Sequence, residues 1–343
     1  MNKSAKFSQI LSIEGVAILG ALIAMFIYFS FSASSFFVFD SMRYYINEAV
    51  PIFIITTGLT FVIIAGGIDL SIGAVLGLSA GTSISVSMWG WPTWAALLVG
   101  IGTGLIFGFL NGFATTVLKV NDFIVTLGTL NIASGLLSVL TAKKQLTGTN
   151  DKNFVKIAES NFGGLTSAIW LSLIVIIVLE IVLAKTAFGR KIYATGIGLA
   201  PALISGVNVN RVKFRAYIVS GGLAGFSGVI LASHLNSVQS GLAGGYELAA
   251  IAGAVLGGVS LSGGRGSIWR AIVGALFLVT LKQGLQLMGV DPLIFQIITG
   301  LCILLGVVLD RGVYKFALGL GSKPLITNMT LKGQEIFVES KLQ

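Results

Sequence analysis

Charge is scarce in this chain: only 10% of its 343 residues are Asp, Glu, Lys or Arg, against about a quarter in an ordinary soluble domain. With 55% hydrophobic residues and a mean hydropathy of +0.94, a water-soluble fold is excluded. Cysteine and histidine occur once each, as Cys302 and His234, which excludes a disulfide framework and any Cys/His metal site. No Gly-Lys dipeptide is present, so the chain has no phosphate-binding P-loop and cannot hydrolyse ATP by that route. There is no HExxH, no Ser/His/Asp set around His234 and no pair of membrane-facing carboxylates suited to proteolysis. Enzymatic activity, a metal and a cofactor are therefore not expected.

What remains is hydrophobic runs separated by polar or glycine-rich breaks. They predict an all-α polytopic membrane protein of about ten helices, near 11–32, 48–65, 72–89, 94–118, 123–141, 167–184, 214–234, 246–262, 267–288 and 292–309. A membrane domain over 10–310 would then lie between a tail at 1–9 and another at 311–343. The apolar stretch from Ile10 to Phe31 is longer than the core of a cleaved signal peptide and reads as a retained first helix. If the helices alternate from a cytoplasmic start, sixteen of the 22 Lys and Arg residues fall on the inner side. Five fall outside (Arg43, Lys143, Lys144, Lys152 and Lys156) and Lys282 alone lies within a span. That asymmetry predicts two cytoplasmic termini, and it accounts for the net charge of +9 without a nucleic-acid partner.

Trp89, Trp91 and Trp94 around Pro92 fit an aromatic belt at an outer turn. The segment 142–166 is the longest outer loop, polar enough to meet a soluble partner or simply to face water. Gly100, Gly104, Gly108 and Gly112 recur at four-residue spacing, and Gly221, Gly222, Gly225 and Gly228 repeat the device. Such stripes predict close helix packing. The inner loop 185–215 carries six basic and no acidic residues around the apolar piece "LAPALIS", closed by Gly206. Pro201 is tolerated in a first helical turn, so a brief helix from Gly198 or Leu199 to Gly206 is predicted, a lever on which another protein can push.

The stretch "AGGIDLSIGA" at 65–74 breaks an apolar run. From Glu48 to Trp89 there are 42 residues for two crossings of about 20 each, so the break lies at or inside the inner membrane boundary. Gly66 and Gly67 would let the chain leave the helix, Asp69 would cap the amides of the next one, and Ser71 and Gly73 would ease packing. "GGVSLSGG" at 257–264, opening with Gly257 and Gly258, agrees at six of eight positions if the Ile/Val pair is counted. The likeness is either an internal echo of two half-domains or a coincidence in glycine-rich sequence, and the two stretches are read as inner-side hinges. Glu247 sits near a helix N-terminus, where the dipole favours an acid. Asn111 is either a pathway amide or interhelical glue. Lys282 with Gln283 and Gln286 either forms a polar stripe for sugar hydroxyls or leaves a lysine snorkelling outward. His234, Asn236 and Gln239 are either solvated helix-end residues or the first groups a released ligand meets.

Several blocks in order carry a resemblance: "GGIDLSIG" at 66–73, "LAKTAFGRKIYATG" at 183–196, "ISGVNV" at 204–209, "GYELAAIAGAVLGGVSLSGGRG" at 245–266 and "GALFLVTLKQGLQLMGV" after it. Over about residues 45–310 the chain resembles the permease subunits of ribose-type ABC importers. That family serves ribose, xylose, arabinose, galactosides, related polyols and the furanose-like autoinducer-2. The resemblance implies a multi-pass protein of the bacterial cytoplasmic membrane that imports a monosaccharide by alternating access. Its implied partners are an ABC ATP-binding subunit, an extracytoplasmic sugar-binding protein and a second permease copy or homologue. The loop 185–213 would hold the coupling helix, with Leu199, Ala200, Pro201, Ala202, Leu203, Ser205 and Gly206 at the ATPase contact. Asn111, Asn236, Gln239, Lys282, Gln283 and Gln286 are the candidate pathway residues. The chain departs from the family where relatives usually show Asn-Glu-Ala-Ala before Ser-Gly, having Gly198, Leu199, Ala200 and Pro201 instead, which predicts a more apolar coupling contact. It departs again at Ala249, where relatives often carry Asp, and at Lys282 and Gln283, where they tend to carry two asparagines. The rival reading is an ion-coupled secondary transporter, which would need ionisable groups at mid-depth.

Overall fold

The computed structural model describes residues 3–33, 35–149, 151–291, 294–295, 297–302 and 304. The tail expected at 311–343 and much of the helix expected at 292–309 lie outside them. Twelve helices are bounded among the described residues. The first five are α1 (Lys3–Ser32), α2 (Phe39–Ile64), α3 (Ile72–Met88), α4 (Thr93–Thr116) and α5 (Asp122–Leu140). Next comes a small extramembrane unit of β1 (Leu146–Thr147), α6 (Lys152–Glu159), β2 (Asn161–Phe162) and β3 (Leu165–Thr166). The chain continues through α7 (Ser167–Lys185), α8 (Ala187–Ile197), α9 (Leu199–Ile204) and α10 (Val209–Leu235). It then forms β4 (Ser237–Val238), α11 (Tyr246–Leu256) and α12 (Ile268–Leu287).

Six helices, α2, α4, α5, α7, α10 and α12, are long and apolar enough to cross a bilayer. Ile18–Ser32, α3 and α11 are apolar but shorter. At about 1.5 Å per residue the 11 residues of α11 reach only part-way across a hydrocarbon core. Four boundaries differ from those expected by more than two residues: α1 begins early, at Lys3, as does α10, at Val209, and the other two are in α2 and α11. Helix α2 begins at Phe39, because Asp40, Arg43 and Asn47 are too polar for a span yet continue the helix beyond it. Helix α11 ends at Leu256, because Gly258 takes a φ of +84° and turns the chain out of the helix.

Helix α10 is the hub, packed against α2, α3 and α4. The two glycine stripes are what let it in. A Cβ at Gly104 would overlap the Gly221 carbonyl and the Gly225 amide, and one at Gly221 would overlap the Gly104 carbonyl. A Cβ at Gly108 would strike the Tyr217 carbonyl. The α4 and α10 backbones therefore touch, which is how membrane helices gain dispersion contact without a hydrophobic driving force between them. Helix α5 is peripheral, resting on α3 and α4 with only 17% of its most apolar window buried.

One end of the bundle carries the 141–166 segment, which is organised around α10. Strands β1 and β4 pair antiparallel, Leu146 opposite Val238. The Asp151 carboxylate caps α6 through Asn153 N (2.9 Å) and accepts from the Thr93 hydroxyl; these bonds hold that carboxyl below its usual range. Phe154 and Ala158 are buried against α10, whose Ser233 hydroxyl accepts from Ala158 N (3.0 Å) and donates to the Phe154 carbonyl (2.7 Å). The opposite end carries the breaks at 65–71 and 257–267 together with α8 and α9, tied by Gly264 N to the Ile64 carbonyl at 2.8 Å.

Candidate functional site: two helix breaks and an exposed short helix

Helix α2 ends in a glycine turn: Gly66, at φ +74°, donates to the Ile63 carbonyl, and Gly67 N donates to the Val62 carbonyl. The next carbonyls, freed from helix, find side-chain donors. Lys213 Nζ bonds the Gly66 carbonyl at 2.8 Å and Tyr217 Oη the Ile68 carbonyl at 3.0 Å, both from α10. Non-helical backbone at this depth is thus covered by protein rather than lipid. Lys213 also faces Asp122 at 3.9 Å, and a Cβ at Gly67 would come within 3.0 Å of Asp122 Oδ2 and Tyr217 Oη.

Asp69 is 2% exposed and is the centre of a buried polar chain. Its Oδ1 accepts from Ser71 N (3.1 Å) and Ser71 Oγ (2.7 Å), and its Oδ2 accepts from Ser220 Oγ (2.8 Å) on α10. Ser71 Oγ accepts in turn from Asn111 Nδ2 (2.8 Å) on α4, and Asn111 Oδ1 accepts from Thr129 Oγ1 (2.7 Å) on α5. The expectation that Asp69 caps the amides of the following helix needs correction. Its Oδ1 is used by Ser71, the residue preceding α3, and its Oδ2 by Ser220, and no side chain caps α3 itself. The carboxylate folds the break back on itself and pins it to α10. Asn111 lies in this chain as an interhelical tie.

Gly73 lies against α11: a Cβ there would run into the Glu247 carboxylate, whose other oxygen accepts from Gly245 N at 3.2 Å. In the second break, a Cβ at Gly257 would overlap the Arg270 carbonyl, bringing the α11 end onto α12. The two breaks meet, as the Gly264–Ile64 bond shows.

Helix α9 is a single short helix between two glycines in glycine-favoured conformations, Gly198 (φ +157°) and Gly206 (φ +71°). Ala202 is buried and anchors it. Leu199, Leu203 and Ile204 are 62%, 58% and 88% exposed. Ala200, Pro201, Ser205 and Gly206 are also exposed, and Ser205 Oγ donates to the Pro201 carbonyl (2.9 Å). Exposed Arg190 and Lys191 precede this apolar tip on α8, and exposed Arg211 follows it on α10.

The remaining sequence-derived pathway residues do not converge. Asn236 ends α10 in the left-handed region, and its Oδ1 accepts from Thr149 N (3.2 Å). Gln239 is exposed beside Ser240. Lys282 and Gln286 are exposed and Gln283 is half-buried on α12, which packs on α1, α2, α7 and α11. His234 is no solvated helix end. Its ring bonds Glu48 through Nε2 (2.9 Å) and Glu159 through Nδ1, within reach of Asn47, leaving the side chain 13% exposed. This arrangement fastens α6 and α2 to α10. Sequence gave no warning of it, because the three partners lie 75 to 187 positions away.

A further feature, overlooked in the sequence, lies on α5. Its buried residues are Thr126, Ala133 and Leu137. The opposite side of the helix presents Gly128, Asn131, Gly135 and Ser138 interleaved with the exposed apolar side chains of Ile124, Ile132 and Val139. The Asn131 amide bonds only its own helix, at the Leu127 carbonyl (2.9 Å), and Ser138 Oγ pairs with Ser240 Oγ (2.8 Å) near Gln239. An amide facing hydrocarbon is unfavourable, and the Asn131 side chain meets that by bonding its own helix. The 3–4–3 spacing was visible in sequence, but which side of the helix it occupied was not.

Among the described residues no group of three or more His, Cys, Asp or Glu is placed to hold a metal. Six helices of membrane-crossing length and apolarity, two helix breaks and close backbone packing describe a multi-pass membrane protein. Over residues 41–307 the chain matches the family described as branched-chain amino acid transport system / permease component, and it belongs to that family. It is 40% identical over 246 residues to the ribose import permease protein RbsC of Bacillus subtilis (strain 168), covering 71% of this chain and 76% of that one. It is 34% identical to the L-arabinose transport system permease protein AraH of Escherichia coli (strain K12), over 71% of this chain and 74% of the other. The autoinducer 2 import system permease protein LsrC of Photorhabdus laumondii is also 34% identical, over 71% and 73%.

Proposed function

We propose that this chain is the membrane-spanning subunit of an ATP-driven importer that carries a monosaccharide, a pentose, hexose or related polyol, into the bacterial cytoplasm by alternating access. In this reading about ten helices cross the cytoplasmic membrane with both termini inside, and ATP is hydrolysed on a separate ABC subunit. An extracytoplasmic sugar-binding protein delivers the ligand onto the 141–166 unit, and a second permease copy or homologue completes the channel. The observation that carries the proposal is α9: an exposed apolar tip on a short, glycine-bounded helix, with basic residues before and after it in the chain, is built to be gripped by another protein. Leu199, Ala200, Pro201, Leu203, Ser205 and Gly206 form that grip, with Ala202 buried beneath them. Asn131, Ser134 and Ser138 of α5 then border the hydrated route, where they offer weak hydrogen bonds to sugar hydroxyls. Weak and general polarity suits a conduit that must also release what it binds.

The rival, an ion-coupled carrier, needs an ionisable group free to take up a proton or Na⁺ at mid-depth. Asp69 is the most deeply placed carboxylate of the inner break, and both of its oxygens already accept from Ser71 and Ser220. Uptake in cells decides between the two readings. ATP depletion should abolish it while an ionophore leaves it in place; the reverse pattern favours the carrier. The ligand of the binding protein encoded beside this chain separates a sugar from autoinducer-2.

A further inference from the structure

Three glycines from three parts of the chain meet at one point near the inner end. Gly196 lies in the last turn of α8, two residues before Gly198 opens α9. A Cβ on Gly196 would overlap both the Ile64 carbonyl oxygen and the Gly264 amide nitrogen, the two atoms joined by the 2.8 Å bond between the breaks. A Cβ on Gly263 would fall 3.0 Å from the Gly66 Cα and 3.0 Å from the Gly196 carbonyl. The α8 backbone is therefore wedged against a backbone hydrogen bond that closes the α2–α3 break onto the α11–α12 break. A second tie holds it there: Tyr193 Oη, one turn earlier, donates to the Gly266 carbonyl at 2.8 Å. Burial beside Glu180 pushes the Tyr193 phenol up to about 12, so it remains a donor at any physiological pH.

Resting on the reading that α9 receives the ATPase, we infer that Gly196 is a positioning residue that transmits α9 movement to both helix breaks at once. Only hydrogen at this position lets the lever rest on both. The carbonyl of Ile64 belongs to α2 and the amide of Gly264 leads into α12, so a displacement of α8 by a fraction of an ångström moves two spanning helices relative to each other. Tight packing passes such shifts on instead of absorbing them. The exposed residues of α9 make the grip; Gly196 makes the grip matter to the membrane core.

The test uses the full-length permease with its cognate ATPase subunit in nanodiscs, with Cys302 replaced by Ala and Leu248→Cys as reporter on exposed α11 surface. The probe is ATP with vanadate, and the readout is the change in labelling rate by a water-soluble maleimide. In the reporter background, nucleotide trapping should change the rate. No change there, or no ATPase binding, would sink the importer reading itself. With Gly196→Ala added, ATPase binding should persist while the nucleotide-driven change shrinks by about fivefold or more, the lower end of typical coupling between sites. An undiminished change with Gly196→Ala overturns the inference and leaves the importer reading standing. If Gly196→Ala does not assemble, Tyr193→Phe adds no volume and serves in its place. It should weaken the response at least about twofold, a small fraction of a typical coupling energy, and an unaltered response is equally fatal.

Discussion

Shortening Leu203 to Ala isolates the coupling contact from the fold. The side chain is 58% exposed in the free chain, so little native packing is lost and the thermal midpoint of the purified permease should stay where it was. Three carbon groups are removed at about 0.8 kcal/mol each when fully buried, and roughly three-fifths of that burial awaits a partner, giving about 1.4 kcal/mol. That is close to tenfold in Kd for the ATPase subunit. Leu199, 62% exposed, should behave alike, and Leu199→Asp should cost more because an unpaired charge enters the contact. The assay is titration of fluorescent ATPase subunit onto nanodisc-held permease, with ATPase stimulation recorded in parallel. A Kd unchanged within about twofold for Leu203→Ala, together with unchanged stimulation by Leu199→Asp, would refute the assignment of α9 as the grip.

Asp69→Asn keeps an acceptor for Ser71 and meets a Ser220 hydroxyl able to reverse its bond, so assembly and transport should largely survive, whereas Asp69→Ala strands those groups and should lower stability by about 1–3 kcal/mol. Transport lost from Asp69→Asn at unchanged thermal midpoint would instead give the carboxylate a direct role. Gly104→Ala forces a methyl into the α10 backbone and should destabilise by about 1–3 kcal/mol. Gly102→Ala, which meets nothing within 4 Å, should stabilise by up to about 1 kcal/mol through helix propensity. Equal shifts for the two in a thermal assay would contradict the packing argument. His234→Ala leaves Glu48 and Glu159 without their common partner, and faster hydrogen exchange over residues 152–166 should report a loosened α6 at a cost of about 1–3 kcal/mol. Asn131→Leu should leave assembly and ATPase binding intact but slow uptake several-fold; unchanged uptake would remove the α5 face from the route.

The helices themselves were legible because apolar runs of membrane length announce them, and α3, α4, α5, α7 and α12 begin and end within two residues of the positions expected. The α9 lever was legible too, since Pro201 and the bounding glycines allow little else. Polar partnerships were not. The Asp69 chain joins residues 40 and 151 positions apart through Asn111 and Ser220, and His234 reaches Glu48 across 186 positions, so spacing rules say nothing about either. For that reason Asp69 read as a helix cap and His234 as a solvated end. The two glycine breaks were legible by their likeness, but their contact and Gly196 as the third party were hidden, because a close backbone approach leaves no mark in sequence beyond a glycine among 45.

Proteoliposomes holding this permease with its ATPase subunit and sugar-binding protein test the central claim most directly. The account predicts that sugar enters only when ATP is present on the ATPase side, that the binding protein raises both uptake and hydrolysis, and that imposed Na⁺ or H⁺ gradients do nothing alone. Uptake driven by an ion gradient in the absence of ATP would contradict it.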